Sequence, residues 1–317
     1  MKVVVVGAGA LGTILAAHLS QAGHPVTVLA RGNRGAQVQR NGLVVSGLSA
    51  LSESCKIVSD PDALSAADLL ILTVKTYDNE AVIDTLPPHG FETTFSVANG
   101  VLKNAQLIRR FGANSVLGCM ANTSGELLEN GVVRFTRNVC LHIGELSGEI
   151  SQRSKIVATT LNQSGIKTRS EPNIQVIEWS KFVGWTALLV LSVITRSSTG
   201  KFLADSRYAE LATFMIKEMA AISRANNIQI VDQSPLPVAS IASATHDRGR
   251  EIVMEVGNEL CISAPEHRMS SLQDLERGRP LEVEETLGFA LTEARRLGIK
   301  TPCLVDFYKK LSGLGAD

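Results

Sequence analysis

The chain has 317 residues, which is long enough for two domains that each bury a hydrophobic core. Its 31 basic and 31 acidic residues cancel, so no overall field favours nucleic acid or an anionic membrane, and a small molecule is the expected ligand. The five cysteines are widely spaced without a CxxC pair, which argues against a metal cluster and predicts reduced thiols in a cytoplasmic protein.

The first twelve residues predict a buried strand and a dinucleotide-binding turn. Val3 to Val6 is an apolar β-branched run, typical of a strand buried on both faces, and three glycines follow it in the pattern GxGxxG. In such a turn the first glycine permits the tight bend, the second lets the backbone approach a pyrophosphate, and the third lets the next helix pack closely. The phosphates then lie at the helix N-terminus, where N–H groups favour anions. The predicted cofactor-binding residues of the turn are Gly7, Ala8, Gly9, Ala10, Leu11 and Gly12.

The residues after the turn support this interpretation over two alternatives, a chance glycine-rich loop and a signal peptide. Leucines recur at helical spacing from Leu11 to Leu19, Gly23 ends the helix, and Pro25 to Ala30 supplies a second strand. The glycines also interrupt the apolar segment too early for the roughly 7–15 apolar residues that a signal peptide needs.

The end of the second strand predicts which dinucleotide binds. An NAD site needs a carboxylate about 20 residues past the glycines for the ribose 2′-hydroxyl, whereas an NADP site needs a cation for the 2′-phosphate. Arg31 occupies that place, Arg34 and Arg40 lie in or near the following loop, and the first 52 residues contain no Asp or Glu. Because a guanidinium matches a phosphomonoester in charge and geometry, Arg31 predicts NADPH. The alternative is a solvated arginine at a strand end.

Strands and helices alternate through the first half and predict a parallel sheet, in which the carboxyl ends of the strands meet at one edge. Lys75 and Asn99 stand at two such ends and could face the cofactor; the alternatives are a solvated lysine and a plain Asn-Gly turn. The predicted elements after Arg31 are a loop, a hairpin at Leu43–Ser52, a short helix from Asp60, strands at Leu69–Val74, Thr93–Ala98 and Ser115–Gly118, helices at Asn79–Thr85, Lys103–Phe111 and Ser151–Gly165, and antiparallel strands within Val132–Gly144.

The second half changes to long helices, and the composition places the boundary near Ser170-Glu171-Pro172, which gives domains 1–170 and 171–317. The longest apolar run, Ala187 to Ile194, falls short of the roughly 20 residues that span a bilayer, so no membrane anchor is predicted. The predicted helices are Asn173–Thr195, Ser206–Asn226, Pro280–Leu297 and Pro302–Leu311.

Lys181 is the candidate catalytic residue of the second half. It lies among Trp179, Phe182 and Trp185 on a helix expected to be buried, and burial lowers the pKa of a lysine and eases proton donation. Hydride addition to a ketone leaves an alkoxide, which a nearby ammonium can stabilise and protonate. The alternative is a lysine whose amine reaches the surface.

Several motifs follow one another in a fixed order. They are GAGALG, Arg31, Thr73-Val74-Lys75, Asn99-Gly100, Trp179-Ser180-Lys181, Ser270-Ser271-Leu272-Gln273-Asp274, Gly278-Arg279 and Glu282. In this order they resemble the ketopantoate reductase (2-dehydropantoate 2-reductase) family over essentially the whole chain. The resemblance implies an α/β fold, with an N-terminal Rossmann-type parallel-sheet domain followed by an all-helical domain for substrate binding and dimerisation. It also implies NADPH-dependent reduction of 2-dehydropantoate to (R)-pantoate, in the cytoplasm, on the route to coenzyme A.

The resemblance assigns roles to individual residues. The glycine turn, Arg31, Lys75 and Asn99 correspond to cofactor positions, and Ser124 corresponds to a further one that uses its backbone. Lys181 corresponds to the proton donor, and Asn99, Lys181 and Ser270 correspond to groups that bind the substrate. Glu282 corresponds to an acidic residue near the nicotinamide and the substrate; the alternative is an ordinary carboxylate at a helix N-terminus.

The chain departs from the family pattern on the helix of Lys181. Where the family has asparagines four and eight residues after its lysine, this chain has Trp185 and Leu189, and a third family asparagine corresponds to Thr199. A pocket without those hydrogen bonds cannot use them to select a hydroxylated substrate. We therefore expect a more apolar or differently shaped 2-oxo acid as an alternative substrate.

The sequence leaves three functions to weigh. The first is an NADPH-dependent reductase of a 2-oxo acid, with 2-dehydropantoate as the best single substrate. The second is a non-catalytic NADP-binding regulatory protein, suggested by Trp185 and Leu189. The third is a hydroxyacid dehydrogenase that works in the oxidative direction. No metal is predicted, and a homodimer is left open.

Overall fold

The computed structural model describes residues 1–313, which divide into two compact units, Met1–Gln175 and a second unit that begins at Val176. The division falls a few residues after the boundary drawn from the sequence. The elements of the first unit are β1 (Val3–Val6), α1 (Ala10–Gln21), β2 (Val26–Leu29), α2 (Gly32–Asn41), β3 (Leu43–Gly47), β4 (Leu51–Glu53), β5 (Lys56–Val58), β6 (Ala67–Leu72), α3 (Thr76–Thr85), β7 (Phe91–Ser96), α4 (Leu102–Phe111), β8 (Leu117–Leu127), β9 (Val133–Glu145), α5 (Gln152–Gln163) and β10 (Thr168–Ser170).

A parallel five-stranded sheet forms the centre of the first unit. Its strand order, β5-β2-β1-β6-β7, runs outward from β1 in both directions, which is the Rossmann arrangement. Val3 of β1 pairs with Val26 on one side and with Leu69 on the other. The strand order confirms the predicted fold class for this half of the chain.

The core of the first unit explains why β1 is apolar at every position. Val3 and Val5 pack into one cluster with helix α1 and the second sheet, and Val4 and Val6 pack into another on the opposite face. All four side chains are buried, so the strand has no polar face.

Helix α2 corrects the expectation of a loop after Arg31, because it begins at Gly32. Only Gly35 and Val38 are buried in this helix, so its apolar period is too short to recognise in the sequence. A Cβ on Gly35 would lie 2.5 Å from the carbonyl oxygen of Ala30, which shows how closely α2 packs on the end of β2.

A second, mixed sheet was not predicted. Its order is β10-β9-β3-β4, with β8 paired to β9 as a long antiparallel hairpin. The expected short strand at Ser115–Gly118 extends to Leu127, and the antiparallel strands expected within Val132–Gly144 are one strand, β9. The register shifts after Asn122 and after Ser124, which breaks the alternation that identifies a strand.

The second unit contains helices and loops and no strand between Val176 and Gly313, which confirms the predicted helical half. The short helices of this unit and the longer helix His246–Ser263 were not predicted. The buried residues of that longer helix are Gly249, Val253 and Gly257, so glycines form most of its buried face. The predicted helix Pro280–Leu297 is wrong in its first part, which includes a π-helical turn at Glu284–Gly288. The helices are α6 (Ile174–Thr195), α7 (Thr199–Ala204), α8 (Ser206–Ala225), α9 (Val238–Ser243), α10 (His246–Ser263), α11 (Ser270–Glu276), α12 (Phe289–Leu297) and α13 (Pro302–Ser312).

Helix α6 has the length and composition of a membrane-spanning segment, which no other helix within residues 1–313 has. Of its most apolar 18 residues, 83% are buried inside the protein. Length and composition alone are weak evidence for a span, because the buried core helix of a globular unit meets the same criteria.

Candidate active site

The GxGxxG turn joins β1 to α1 through backbone geometry that only glycine allows. Gly7 has φ +103°, and a Cβ on Gly12 would lie 2.0 Å from the carbonyl oxygen of Gly7. Thr73 holds the turn from the end of β6: its Oγ1 lies 2.9 Å from the carbonyl oxygens of both Val6 and Gly7. These contacts show that the fold itself requires the first and third glycines of the motif, whatever the turn binds.

Gly9 and the first turn of α1 have the properties of a phosphate cradle. A Cβ on Gly9 would meet nothing within 4 Å, so the space beside this backbone is open. Helix α1 has neither a side-chain cap nor an acidic residue in its first turn, and its first backbone bond runs from the N–H of Thr13 to Gly9. The N–H groups of Ala10, Leu11 and Gly12 therefore have no acceptor within the helix. The turn fits the pyrophosphate of a dinucleotide.

Arg31 is the exposed cation at the end of β2. It occupies the N-cap position of α2, and its Nη2 lies 3.2 Å from Oγ1 of Thr85. Arg40 is also exposed, but it lies in the last turn of α2, about 13 Å further along the helix axis. The structure thus keeps Arg31 at the predicted place and puts Arg40 at a distance from it.

Arg34 lies on α2 with its guanidinium directed into the protein. Its Nε donates to the carbonyl oxygen of Ala8 at 2.7 Å, and its Nη2 donates to Oγ1 of Thr13 at 2.9 Å. Its Nη1 donates to Oε1 of Gln37 at 2.7 Å and to the carbonyl oxygen of Gly131 at 3.0 Å. The cluster of three arginines inferred from the sequence is therefore divided in the structure.

Lys75 and Asn99 lie at the carboxyl edge of the parallel sheet, as predicted. Half-buried Lys75 is the N-cap residue of α3, just after β6, and half-buried Asn99 lies in the turn after β7. Since β1, β6 and β7 are neighbouring parallel strands, both residues lie at the edge that carries the glycine turn. The first unit therefore brings the glycine turn, Lys75 and Asn99 to the same edge of the sheet.

Lys103 is a buried cation beside the Asn99 turn that sequence reasoning missed. Its side chain is 3% exposed, and its Nζ donates to the carbonyl oxygen of Gly100 at 2.7 Å. Gly100 has φ +76°, so the lysine holds a carbonyl of a turn that favours glycine. A lysine in the first turn of an amphipathic helix carries no sequence signal of burial, which is why this role was not predicted.

Ser124 lies on β8 beside the helix that follows the glycine turn. It is exposed, and it sits between the two register shifts of the β8–β9 hairpin. A Cβ on the next residue, Gly125, would lie 2.6 Å from Cδ1 of Ile14 on α1. The hairpin thus brings the backbone of Ser124 close to α1.

In the second unit, aromatic packing joins the segments that carry Lys181 and Glu282. Trp179 and Phe182 of α6 flank half-buried Lys181 in sequence, and their rings lie 6.4 and 6.0 Å from the ring of Phe289, the first residue of α12. Glu282, which is 5% exposed, precedes the π-helical turn that leads into Phe289. Because single π-helical turns often occur at functional sites, this turn supports a role for the segment.

Ser270 is exposed at the start of α11, and its neighbour Ser271 faces the interior. Oγ of Ser271 lies 2.9 Å from Oγ of Ser192 on α6. This bond fixes the start of α11 against α6 and leaves the hydroxyl of Ser270 on the surface.

The three positions at which the chain departs from the family pattern are buried in the second unit. Leu189 and Thr199 are 0% exposed, and Trp185 is 7% exposed. Thr199 bonds twice to the segment before Ser270: Oγ1 lies 3.0 Å from Nδ1 of His267, and its N–H donates to the carbonyl oxygen of His267 at 2.8 Å. The polar group at this position is therefore engaged within the protein.

Comparison with known families supplies the observation that the geometry alone lacks. The family model described as ketopantoate reductase PanE/ApbA matches residues 3–148, and the model of its C-terminal part matches residues 173–314. The chain belongs to the ketopantoate reductase family. It is accordingly an oxidoreductase that acts on CH–OH groups with a nicotinamide dinucleotide.

Named relatives and solved structures match nearly the whole length of this chain. A 2-dehydropantoate 2-reductase of Archaeoglobus fulgidus is 27% identical over 307 residues, which are 94% of this chain and 92% of the relative. A solved ketopantoate reductase of Ralstonia eutropha has a TM-score of 0.83 at 22% identity and covers 99% of this chain and 98% of its own. A D-mandelate dehydrogenase, solved with NADH and anilino(oxo)acetate, has a TM-score of 0.83 at 17% identity over the same shares of the two chains. The two solved structures establish the shared fold.

The cysteines of this reductase-family chain give no support to thiol catalysis. All five are free, and burial raises the pKa of Cys55 to about 11 and that of Cys303 to about 12. Thiolates are the reactive form, so these two thiols are poor nucleophiles at neutral pH. Within residues 1–313, His, Cys, Asp and Glu side chains form no group of three that could hold a metal ion.

Proposed function

We propose that the protein reduces a 2-oxo acid to the 2-hydroxy acid with NADPH in the cytoplasm, with 2-dehydropantoate and (R)-pantoate as the first substrate and product to test. The observation that carries this proposal is the match of both halves of the chain to the ketopantoate reductase family. The local geometry supports it, since the glycine turn leaves open space beside Gly9, and the first N–H groups of α1 have no acceptor within the helix and no side-chain cap.

The choice of NADPH over NADH rests on Arg31. Its exposed guanidinium follows β2 at the place where NAD-specific sites have a carboxylate, and a single hydrogen bond to Thr85 leaves most of its N–H groups available. Lys75, Asn99, Ser124 and Glu282 are the further residues that we assign to the contacts with the dinucleotide.

The chemistry combines a hydride and a proton. When bound, NADPH supplies a hydride to the carbonyl carbon of the 2-oxo acid. Lys181 donates a proton to the carbonyl oxygen, and its positive charge stabilises the oxyanion as it develops. Asn99 and Ser270 hold the substrate by hydrogen bonds, so that the carbonyl group meets the hydride and the proton in a fixed orientation.

A second substrate class has specific support, namely a 2-oxo acid with an apolar or aromatic substituent. Trp185 and Leu189 replace amides by apolar side chains, and the hydroxyl of Thr199 is already bonded to His267. A site without these polar groups gains nothing from the hydroxyl of 2-dehydropantoate. The structural similarity to a D-mandelate dehydrogenase makes phenylglyoxylate a suitable probe of this class.

The test is oxidation of NADPH by the purified protein with a panel of 2-oxo acids that includes 2-dehydropantoate, 2-oxoisovalerate and phenylglyoxylate. The expected result is turnover with at least one of them, and the ratio of kcat/KM values decides between the two substrate classes. NADPH binding without turnover of any oxo acid would instead support a regulatory protein. A faster reaction with 2-hydroxy acids and NADP at cellular cofactor ratios would support the oxidative direction.

A further inference from the structure

The hydrogen bonds of Arg34 leave it little capacity to bind a phosphate. A guanidinium has five N–H groups, and in Arg34 four of them reach acceptors within 3.0 Å. Bidentate recognition of a phosphate needs two N–H groups directed to the same side. Arg31, three residues earlier, has one such bond and an exposed side chain. The same residue type therefore serves two different purposes at the two positions.

The first acceptor of Arg34 lies in the middle of the glycine turn. The carbonyl oxygen of Ala8 accepts from Nε of Arg34 at 2.7 Å and from Oγ1 of Thr13 at 3.1 Å. The hydroxyl of Thr13 in turn accepts from Nη2 of Arg34, so the three groups form a closed triangle. Thr13 is fully buried and Ala8 is 4% exposed, which keeps water from replacing these bonds. The triangle fixes the peptide plane between Ala8 and Gly9, beside the open space of the cradle.

The last acceptor of Arg34 lies in the turn of the β8–β9 hairpin. The carbonyl oxygen of Gly131 accepts from Nη1 at 3.0 Å, and Gln37 accepts from the same nitrogen at 2.7 Å. A Cβ on Gly131, which has φ +87°, would lie 2.2 Å from Nε2 of Gln37, so the turn approaches α2 as closely as a glycine allows. Ser124 belongs to the strand that leads into this turn. One side chain thus bonds both to the glycine turn and to the hairpin.

We propose that Arg34 is a positioning residue that holds the glycine turn and the β8–β9 hairpin in the conformation that binds the dinucleotide, whereas Arg31 is the arginine that recognises the 2′-phosphate. This inference rests on the proposed binding of NADPH. It assigns the affinity for both cofactors to Arg34 and the selectivity for NADPH over NADH to Arg31. Arg34 acts equally on NADPH and NADH because the pyrophosphate, which the glycine turn is proposed to bind, is common to the two.

The experiment compares Arg34→Met and Arg31→Met by titration with NADPH and with NADH, using the fluorescence of the reduced nicotinamide. We expect Arg34→Met to raise both Kd values by about tenfold or more and by the same factor, with kcat at saturating NADPH within about threefold of the wild type. Arg31→Met should raise the Kd for NADPH by about tenfold or more and leave the Kd for NADH within about threefold.

A control for loss of structure comes from Arg110, a half-buried arginine of the same unit whose Nε donates to the carbonyl oxygen of Leu86 at 2.9 Å. Arg110→Met should lower the melting temperature and leave both Kd values unchanged. If Arg34→Met does not fold, Thr13→Val removes two sides of the triangle and should raise both Kd values by an equal, smaller factor.

Two results would overturn the proposal. A loss of affinity for NADPH but not for NADH in Arg34→Met would make Arg34 a phosphate ligand. Unchanged Kd values in Arg34→Met would show that the network has a purely structural role. The same result in Thr13→Val, where that variant takes its place, would show this too. Failure of the proposed function gives a different result, since equal affinity of the wild type for NADPH and NADH would remove the role of Arg31 and leave the effect of Arg34 on both cofactors measurable.

Discussion

The candidate functional residues of the two units are held in place in different ways. In the first unit, the glycine turn, the N-terminus of α1 and the turn after β7 consist of peptide groups that the sheet holds in place. In the second unit, the candidates Lys181 and Glu282 are side chains on segments that helix packing holds in place. The first and third glycines of the turn cannot take a side chain without strain or a steric clash, whereas a helix can exchange an amide for Trp185 and keep its fold. We therefore expect cofactor binding to be preserved in this chain and substrate choice to differ.

The largest expected effect is on chemistry in the second unit. Lys181→Met should lower kcat by about 10²–10⁴-fold, equivalent to about 3–5 kcal/mol, because the proton donor is lost, while the Kd for NADPH stays within about threefold. Steady-state kinetics and cofactor titration measure the two quantities. Lys217→Met is the matched control, since Lys217 donates to the carbonyl oxygen of Ala242 at 3.0 Å. Equal kcat values for the two variants would contradict the assignment of Lys181.

The next effect separates fold from binding within the glycine turn. Gly12→Ala places a Cβ 2.0 Å from a backbone oxygen and should lower the free energy of unfolding by about 3 kcal/mol or more. Gly9→Ala meets no atom within 4 Å and should leave stability within about 0.5 kcal/mol. The methyl group of Gly9→Ala enters the space proposed for the pyrophosphate, so its Kd for NADPH should rise by about tenfold or more. Denaturant unfolding with cofactor titration tests the pair, and an unchanged Kd in Gly9→Ala would refute the cradle.

A smaller effect concerns the bond that fixes α11 on α6. Ser192→Ala and Ser271→Ala each remove one hydroxyl of a buried pair 2.9 Å apart, and each should cost about 1 kcal/mol of unfolding free energy. The double variant should cost less than the sum, with a coupling energy of about 0.5–1 kcal/mol. Strictly additive costs would show that the two hydroxyls do not depend on one another.

The smallest effect is a pH dependence of stability in the first unit. Burial lowers the pKa of His18 below its ordinary 6.5, although its hydrogen bond to the carbonyl oxygen of Ser164 acts in the opposite direction. Well above pH 6.5 the imidazole is neutral in both the folded and the unfolded state, and its contribution to stability is complete. Below pH 6.5 the unfolded chain takes up a proton more readily than the folded one, so stability falls until the pH reaches the lower folded pKa. His18→Gln should flatten the unfolding free energy over this range; an unchanged slope would contradict the shift.

The sequence predicts the parts of the molecule that depend on local patterns, and it does not predict the parts that depend on tertiary neighbours. The glycine turn, Lys75 and Asn99 lie at the ends of strands, where the sequence predicts them, because glycine spacing and strand ends are local properties. Helix α2 and the β8–β9 hairpin were missed or misplaced because a polar helix and a strand with register shifts lack the expected periodicity. The burial of Lys103 and the inward direction of the Arg34 guanidinium depend on tertiary neighbours that no local pattern records. The roles of all the predicted site residues, in both units, remain predictions.

The most direct test of the proposed reduction is to follow the transfer of deuterium from NADPH, labelled at C4 of the nicotinamide, to the best 2-oxo acid of the panel. The expected product is a 2-hydroxy acid that carries one deuterium at C2 when the transferred position is labelled, and a proton on its oxygen from solvent. A product with deuterium elsewhere, or oxidation of NADPH without a labelled hydroxy acid, would contradict it.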